Sequence, residues 1–327
     1  MDLSIVTSLY YSASHVEEFY TRVCSVAEKV GTDYEIVIVN DGSPDNSLEI
    51  ALSLYGKDER VKVVNLSRNF GHHKALMTGL EHASGELVFL IDSDLEEEPE
   101  LLEKFYQELK RTDADVVFGV QKHRKGNLLE RVSGNVFFKI FNLMSPDPIP
   151  ANHVTARLMK RNYVTALLLH REREFVLSGL WVLTGFNQIP MLVEKHHRSA
   201  STYGFGKKTT HLVNAITSFS NRPLVLIFYL GCFISLVSAI AAIDLVLRKI
   251  LYGTLEGWAS LIVSIWFLGG LTIFSLGVIG IYLSKVFIEV KQRPYTIVKD
   301  VYSHQVSDFE SLELLKRQEK PANMAGR

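Results

Sequence analysis

The stretch GELVFLIDSDLEEEP, residues 85–99, decides the predicted fold of this chain. Its apolar run, residues 87–91, is typical of a strand buried on both faces of a parallel sheet. Asp92 and Asp94 follow at the strand's end, where open α/β sheets bind ligands. Since alternate residues of an extended chain face the same way, both carboxylates would reach one point and suit Mg²⁺ or Mn²⁺. The alternative is that these acids only open the next helix, where negative charge is favourable.

The composition is average overall, but the apolar residues are unevenly distributed. The chain has 327 residues, 47% of them hydrophobic, and a formal net charge of −1, which argues against disorder and against a nucleic-acid partner. Residues 1–222 have the composition of a soluble domain, whereas residues 223–290 are far more apolar. We interpret MDLSIVTSLYY as a first strand and not a signal peptide. The two cysteines, Cys24 and Cys232, predict no disulfide.

Strand-like and helical segments alternate through residues 3–119. The predicted strands are residues 3–9, 34–39, 61–66, 87–91 and 115–119. The predicted helices are residues 15–30, 45–54, 74–82 and 101–111. This alternation predicts a doubly wound, mostly parallel α/β sheet. Neither G-x-G-x-x-G after the first strand nor G-x-x-x-x-G-K-[ST] is present, so a nucleotide site would rest on carboxylates and a metal ion.

Three motifs follow one another along the chain: Asn40-Asp41-Gly42-Ser43, Arg68-Asn69-x-Gly71, and Asp92-x-Asp94-Leu95 with Pro99. In this order they resemble the family 2 glycosyltransferases of GT-A fold, which is Rossmann-like. More narrowly, they resemble the polyprenyl-phosphate glycosyltransferases, the group of dolichol-phosphate mannose synthase and the bacterial bactoprenol glucosyltransferases. The resemblance covers nearly the whole chain. It implies a nucleotide-sugar donor, a polyprenyl phosphate acceptor, and Mg²⁺ or Mn²⁺ as cofactor.

The resemblance also implies roles by position. Nucleotide-sugar binding falls to Ser8, Tyr10, Ser12, Val39, Asp41, Arg68 and Asp92. Metal binding falls to Asp92, Asp94 and Glu96. Catalytic roles fall to Asp92, Asp94, Arg131 and Arg157. Contacts with the acceptor phosphate fall to Arg124, Arg131, Arg198, Tyr203 and Lys207, although these basic stretches also fit a solvated face or simple attraction to anionic lipid.

Several positions depart from the family pattern. Ser8 replaces the usual Pro, Ser12 replaces Glu, and Asn40 replaces Asp, which leaves the base open between uracil and thymine. Thr155 stands where the family often has an Asp that is a candidate base, and His153 is a further candidate. A phosphate monoester is already ionised near neutral pH, so it needs orientation more than deprotonation.

Residues 223–247 and 258–283 are long and apolar, and each exceeds the roughly 20 residues that a bilayer core requires. They predict a two-helix transmembrane hairpin, and the flanking basic residues place both termini in the cytoplasm. The predicted divisions are a GT-A domain (1–206), a juxtamembrane amphipathic segment (207–222), the membrane part (223–290) and a cytoplasmic segment (291–327). Within the last of these, residues 295–303 would add an edge strand. Glycines in the second span indicate a homo-oligomer.

The resemblance and the apolar segments together imply a metal-dependent, inverting hexosyltransferase on the cytoplasmic face of the inner (plasma) membrane. The predicted donor is a UDP-hexose such as UDP-glucose, and the predicted acceptor is undecaprenyl phosphate. Three alternatives remain open. The first is a processive polysaccharide synthase, although its Gln-x-x-Arg-Trp motif is absent. The second is a transferase that uses another acceptor or a dTDP-sugar. The third is a non-catalytic membrane scaffold with a relic nucleotide site.

Overall fold

The apolar runs of the first hundred or so residues form the middle of one mixed β-sheet. The computed structural model describes residues 1–31, 33–121, 152–194, 222–252 and 257–304. The strands are β1 (Leu3–Leu9), β2 (Tyr34–Asn40), β3 (Val61–Leu66), β4 (Leu87–Leu90), β5 (Val116–Gln121), β6 (His153–Lys160), β7 (Gln188–Val193) and β8 (Val298–Tyr302). The helices are α1 (Val16–Val30), α2 (Ser47–Tyr55), α3 (His72–Glu81), α4 (Leu101–Arg111), α5 (Arg161–Leu167), α6 (Leu177–Leu183), α7 (Arg222–Tyr252) and α8 (Trp258–Val290).

The described strands lie in the order β7-β5-β6-β4-β1-β2-β3-β8. Strand β1 pairs in parallel with both β2 and β4, β2 with β3, and β5 with β7. All residues of β1 and β2 are buried, because apolar side chains cover both faces of the sheet. The predicted doubly wound, mostly parallel α/β sheet is confirmed. The carboxyl ends of β1, β2 and β4 lie side by side at one edge, because these strands are parallel neighbours.

Two strands enter the sheet antiparallel to their neighbours. Strand β6 lies between β4 and β5 and runs against both. Strand β8, which follows the last helix, runs against β3 at the outer edge of the sheet. The predicted edge strand within residues 295–303 is therefore confirmed. Antiparallel β6 brings its first residues beside the carboxyl end of β4, since Arg157 pairs with Leu90.

Both apolar segments are helical. Helix α7 has 31 residues and α8 has 33. Among the described residues, one stretch, Ser264–Val290 in α8, is long and apolar enough to cross a membrane by length and composition. A shorter apolar stretch, Arg222–Ile234, begins α7. The two-span hairpin and the domain divisions stay predictions, and most of the predicted juxtamembrane segment lies outside the described residues.

The end of α8 is joined to the sheet domain by polar contacts. The Lys285 ammonium lies 2.7 Å from a carboxylate oxygen of Glu174. The backbone amide of Arg173 donates to Glu289 at 2.7 Å. Just beyond the helix, the Tyr295 hydroxyl donates to Glu81 of α3 at 2.5 Å. The domain is therefore held against the last turns of the apolar helix.

Candidate active site

Asp92 lies at the tip of β4 and is held by side chains from two other elements. The hydroxyl of Thr155 donates to its Oδ2 atom at 2.9 Å. The Nε2 atom of His72 lies 3.2 Å from its Oδ1 atom. The Asp92 side chain is 18% exposed, although its Oδ1 atom is buried. Position 155, where the family pattern placed a candidate base, thus lies directly against the first predicted metal ligand.

His72 is a site residue that the sequence did not reveal. Its Nδ1 atom lies 3.0 Å from the Ser8 hydroxyl, so the ring bridges the ends of β1 and β4. Burial disfavours the imidazolium, but the nearby carboxylates of Asp92, Asp41 and Asp94 outweigh it and raise the pKa of His72. Helix α3 begins at His72, two residues earlier than predicted. The positive φ of +100° at Gly71 makes that early start possible.

Along the acidic turn after Asp92, the residues are alternately buried and half-buried. Asp94 and Glu96 are half-buried, as Asp92 is, whereas the residues between them are buried. The turn is closed by the Glu96 amide, which donates to Asp94 Oδ1 at 2.9 Å. Leu95 has a positive φ of +58°, which bends the chain at this point. The three predicted metal ligands therefore lie on the more open side of one turn.

Glu97 is the buried member of the acidic run, and no sequence pattern indicated its role. It is fully buried, and its two carboxylate oxygens accept the backbone amides of Thr155 at 3.1 Å and Ala156 at 2.7 Å. Glu97 thereby fixes the start of β6 against the acidic turn and sets the position from which Thr155 reaches Asp92.

The donor atoms at the β4 tip fit a small divalent cation. Within the described ranges, no group of three or more His, Cys, Asp or Glu side chains is arranged to hold a metal ion. Mg²⁺, however, is commonly bound through one or two carboxylates and completes its shell with water and substrate phosphates. Asp92 and Asp94 would supply hard oxygen ligands of the kind that such a site requires, and their role as metal ligands stays a prediction.

Hydrogen bonds join the turns after β1 and β2. We call residues 10–13 and 41–47 the paired turns. The amides of Tyr11 and Ser12 donate to the hydroxyls of Ser43 and Ser47, at 2.8 and 3.0 Å. The amide of Ala13 donates to Asp45 at 3.1 Å. Tyr11 is held at a φ of +55°, which is uncommon for a bulky residue and requires such support.

The predicted nucleotide-binding residues surround the paired turns. Tyr10 is 48% exposed and packs edge-to-face on Tyr11, which is 64% exposed, with 4.8 Å between ring centroids. The Ser12 hydroxyl lies 3.2 Å from that of Ser93, beside Asp92. Val39 is buried in the sheet. The structure thus brings the β1 and β2 turns beside the β4 tip; the ligand roles of these residues stay predictions.

Asp41 supports the turn that carries Arg68. Its carboxylate accepts the amides of Phe70 at 2.7 Å and Gly71 at 3.0 Å. Burial raises the pKa of Asp41, while these two amides work in the opposite direction. The Arg68 guanidinium lies over the Phe70 ring, 4.2 Å from its centroid, and donates to the Asn69 carbonyl at 3.1 Å. Asp41 therefore also fixes the chain just before His72.

Arg157 lies in the core beneath the site. It is 1% exposed, its Nε atom donates to the Thr155 carbonyl at 3.3 Å, and its guanidinium lies over the Trp181 ring. Burial lowers the pKa of Arg157 to about 9, against the opposing effects of Tyr163 and Glu97. That value is above neutral pH, so the group stays charged. Its predicted catalytic role stays a prediction, since this conformation gives it almost no open surface.

The remaining predicted residues cannot be placed. Arg124, Arg131, Arg198, Tyr203 and Lys207, which were assigned to the acceptor phosphate or to catalysis, lie outside the described residues. Their roles stay predictions.

Residues 4–168 match the family described as Glycosyl transferase family 2. This range holds nearly all of β1, strands β2 to β6, and the two aspartates at the β4 tip. The chain belongs to that family and is a glycosyltransferase, as predicted. It is 51% identical over 315 residues to a protein of Mycobacterium tuberculosis (strain CDC 1551 / Oshkosh) named as a glycosyltransferase, covering 96% of this chain and 92% of that one. It is 32% identical over 307 residues to the bactoprenol glucosyl transferase of Shigella phage SfII, covering 91% and 98%.

Among solved structures, the chain is similar to glucosyl-3-phosphoglycerate synthase from Mycobacterium tuberculosis in complex with Mn²⁺, UDP and glucosyl-3-phosphoglycerate. The TM-score is 0.45 at 18% identity, covering 67% of this chain and 80% of that one.

Proposed function

We propose that this glycosyltransferase moves a hexose from a nucleotide-sugar to a polyprenyl phosphate in a metal-dependent, inverting reaction at the cytoplasmic face of the membrane. UDP-glucose is the proposed donor and undecaprenyl phosphate the proposed acceptor. A relative that is 32% identical over 91% of the chain is named a bactoprenol glucosyl transferase, which supports this choice of acceptor.

One observation carries the proposal: the domain with the Asp92 site is joined to the end of an apolar helix. Lys285 and Glu289, in the last turns of α8, contact Glu174 and Arg173 of the domain. An enzyme that takes a lipid phosphate must keep its site within reach of the bilayer surface. Contacts at the end of a membrane-length helix supply that constraint, whereas a transferase with two soluble substrates would have no need of it.

The reaction forms one bond and breaks another at the anomeric carbon. An oxygen of the lipid phosphate attacks that carbon, and the bond from the carbon to the nucleoside diphosphate breaks. Attack from the face opposite the diphosphate inverts the anomeric configuration. Asp92 and Asp94 would hold Mg²⁺ or Mn²⁺, which when bound neutralises the leaving diphosphate.

The other residues of the site position these groups. Thr155 and His72 orient the Asp92 carboxylate through the contacts given above. Glu97 keeps Thr155 in place through the backbone. The paired turns would hold the nucleoside, with the exposed rings of Tyr10 and Tyr11 available for stacking. Preorganisation of this kind spares the reacting groups an ordering cost at the moment of reaction.

The membrane arrangement belongs to the same proposal. Helices α7 and α8 would form a two-span hairpin, with both termini in the cytoplasm by the distribution of basic residues. The chain would associate as a homo-oligomer through the glycines of α8, which leave room for close helix contact. The proposed divisions remain residues 1–206, 207–222, 223–290 and 291–327.

The test uses the full chain in detergent, a radiolabelled nucleotide-sugar, Mg²⁺ and undecaprenyl phosphate. We expect label to enter the lipid fraction with the parent enzyme and to be lost on chelation of the metal. Asp92→Ala/Asp94→Ala should lower the rate by at least roughly a hundredfold, because the leaving group would lose its metal.

Glu103→Gln is the matched control, since it removes a carboxylate from α4 outside the site and should transfer at the parental rate. If the doubly substituted enzyme transfers label as fast as the parent, the mechanism is wrong. Parallel assays with dTDP-glucose, and with a water-soluble acceptor, would show whether the proposed donor or the proposed acceptor is the incorrect part.

A further inference from the structure

Three polar side chains, one on each of three neighbouring strands, form a hydrogen-bonded row at the outer edge of the sheet. Asn40 of β2 faces Asn65 of β3, and Asn65 faces Asp300 of β8. The Asn40 amide nitrogen donates to Asn65 Oδ1 at 2.9 Å, and the Asn65 amide nitrogen donates to Asp300 Oδ2 at 3.0 Å. Asn40 and Asn65 are 3% and 5% exposed, so an unmade hydrogen bond in this row would be costly.

The order of donors and acceptors along this row is fixed at its inner end, at Asn40. The backbone amide of Ser43 donates to Asn40 Oδ1 at 3.2 Å, and a backbone amide can only donate. Asn40 must therefore present its oxygen to Ser43 and its nitrogen to Asn65. Asn65 in turn must present its oxygen to Asn40 and its nitrogen outward. The outer position requires an acceptor, which the carboxylate of Asp300 supplies.

The inner end of the row lies in the paired turns. Ser43, whose amide is bound by Asn40, uses its hydroxyl to accept the amide of Tyr11. A change in the orientation of Asn40 would displace Ser43 and so the strained Tyr11 turn. The outer end lies on β8, the strand that the chain forms soon after leaving α8. The row therefore connects the segment behind the apolar helix with the proposed nucleoside site.

We infer that Asp300 is a positioning residue for the donor site, acting through Asn65 and Asn40. This inference rests on the proposed function for the identity of the ligand, a uridine diphosphate. The first two hundred residues would then hold an incomplete donor site, because the acceptor that orients its turn comes from the end of the chain. An Asp at position 40 would not serve in the present row, since it has no proton to donate to Asn65.

The test reverses the direction of the row. In N40D, Asn65 must turn its nitrogen towards position 40 and its oxygen towards the Asp300 carboxylate, and two acceptors then meet. In N40D/D300N, position 300 supplies a donor and every member is again paired. We measure the affinity of the full chain for UDP with Mg²⁺ by calorimetry, and the donor KM and kcat, for the parent, N40D, D300N and the double variant.

We expect N40D to bind UDP about tenfold more weakly, with the change in KM and not in kcat, which corresponds to one unsatisfied buried group. D300N keeps an acceptor at position 300 and should lose less than N40D. N40D/D300N should bind UDP within about threefold of the parent, a recovery that no independent effect of two substitutions would give.

The inference is overturned if N40D binds UDP as the parent does, or if the double variant binds UDP no better than N40D. A loss in kcat at unchanged KM would also contradict it, because the row supports only the donor side. Failure of the parent itself to bind UDP would instead contradict the proposed function. The two failures are therefore distinguishable in one set of measurements.

Discussion

The paired turns and the β4 tip lie at the same edge of the sheet but hold their polar groups in different ways. In the paired turns, the Asp45 carboxylate accepts the hydroxyls of Ser43 and Ser47, both at 2.5 Å, and two backbone amides. At the β4 tip, Asp92 is bound by a threonine hydroxyl and a histidine ring. Backbone amides are fixed by the fold, whereas side-chain ends rotate.

This difference separates two tasks of one site. A turn whose backbone amides are bound by side chains of the neighbouring turn is suited to a part of the substrate that does not react, which needs only a rigid, matching surface. A carboxylate held by side-chain ends is able to exchange a partner for an incoming ligand and still stay oriented. Disturbing the paired turns should therefore affect folding and donor affinity, while disturbing the β4 tip should affect the rate.

The largest expected effect comes from Gly42→Ala in the paired turns. Gly42 has a φ of +60°, and an added Cβ would lie 2.4 Å from the carbonyl carbon of Arg68 and 2.5 Å from the Asn69 nitrogen. Both are backbone atoms, so the neighbouring turn must shift. We expect a loss of about 3 kcal/mol in the free energy of unfolding and a lowered melting temperature.

Gly56→Ala is the matched control for this substitution. Gly56 lies at the end of α2 with a helical φ of −69°, and its added Cβ would meet its nearest atom at 3.6 Å. That substitution should leave the melting temperature unchanged or raise it slightly. Equal melting temperatures for the two variants would show that the paired turns are not rigid.

A smaller effect is expected from Thr155→Val at the β4 tip. Valine keeps the shape of threonine but removes the hydroxyl that donates to Asp92. The backbone position is retained, because Glu97 holds the Thr155 amide. We expect kcat to fall roughly ten- to a hundredfold, since the loss of one hydrogen bond to a charged group costs about 1.5–3 kcal/mol. The donor KM should change little, and Thr155→Ser should keep most of the rate.

Steady-state kinetics with varied nucleotide-sugar would check this prediction. A rise in KM at unchanged kcat would contradict the proposal that the β4 tip determines the rate while the paired turns determine donor affinity. A similar loss in Thr155→Ser would show that packing, and not the hydroxyl, is what matters at this position.

Local patterns in the sequence were enough to predict the middle of the sheet. Strand β1, residues 3–9, and strand β3, residues 61–66, have the predicted limits, because continuous apolar runs bounded by polar residues leave little freedom. The alternation of strands and helices also predicted the parallel sheet that places Asp41 and Asp92 at the same edge. These features depend on short segments and on the geometry of parallel strands.

Pairings between distant segments were not predictable in this way. Glu97 was one of three consecutive acids, and only the position of β6 shows that it accepts two amides and is fully buried. His72 became a neighbour of Asp92 because α3 begins earlier than its apolar spacing indicated. The partner of Asn65 lies 235 residues further along the chain. Periodicity carries no information about such partners.

The smallest expected effect concerns pH and the paired turns. Partial burial opposes the ionised form of Asp45, but the hydroxyls of Ser43 and Ser47 and the amides of Ala13 and Ser47 outweigh it and lower its pKa to about 2. An unfolded Asp titrates at about 3.9, so the stabilisation is fully present above that pH and is lost as the pH falls through about 2.

Asp45→Asn should therefore lower the melting temperature at pH 7, and the gap to the parent should narrow between pH 5 and pH 3. Thermal unfolding of both proteins across that range checks this, with Glu49→Gln as a control for loss of an exposed charge on α2. A gap that stayed constant with pH would mean that shape, and not the charge of Asp45, holds the turns. The β4 tip is not part of the hydrogen-bond network around Asp45. We therefore expect Asp45→Asn to lower kcat at pH 7 less than Thr155→Val does.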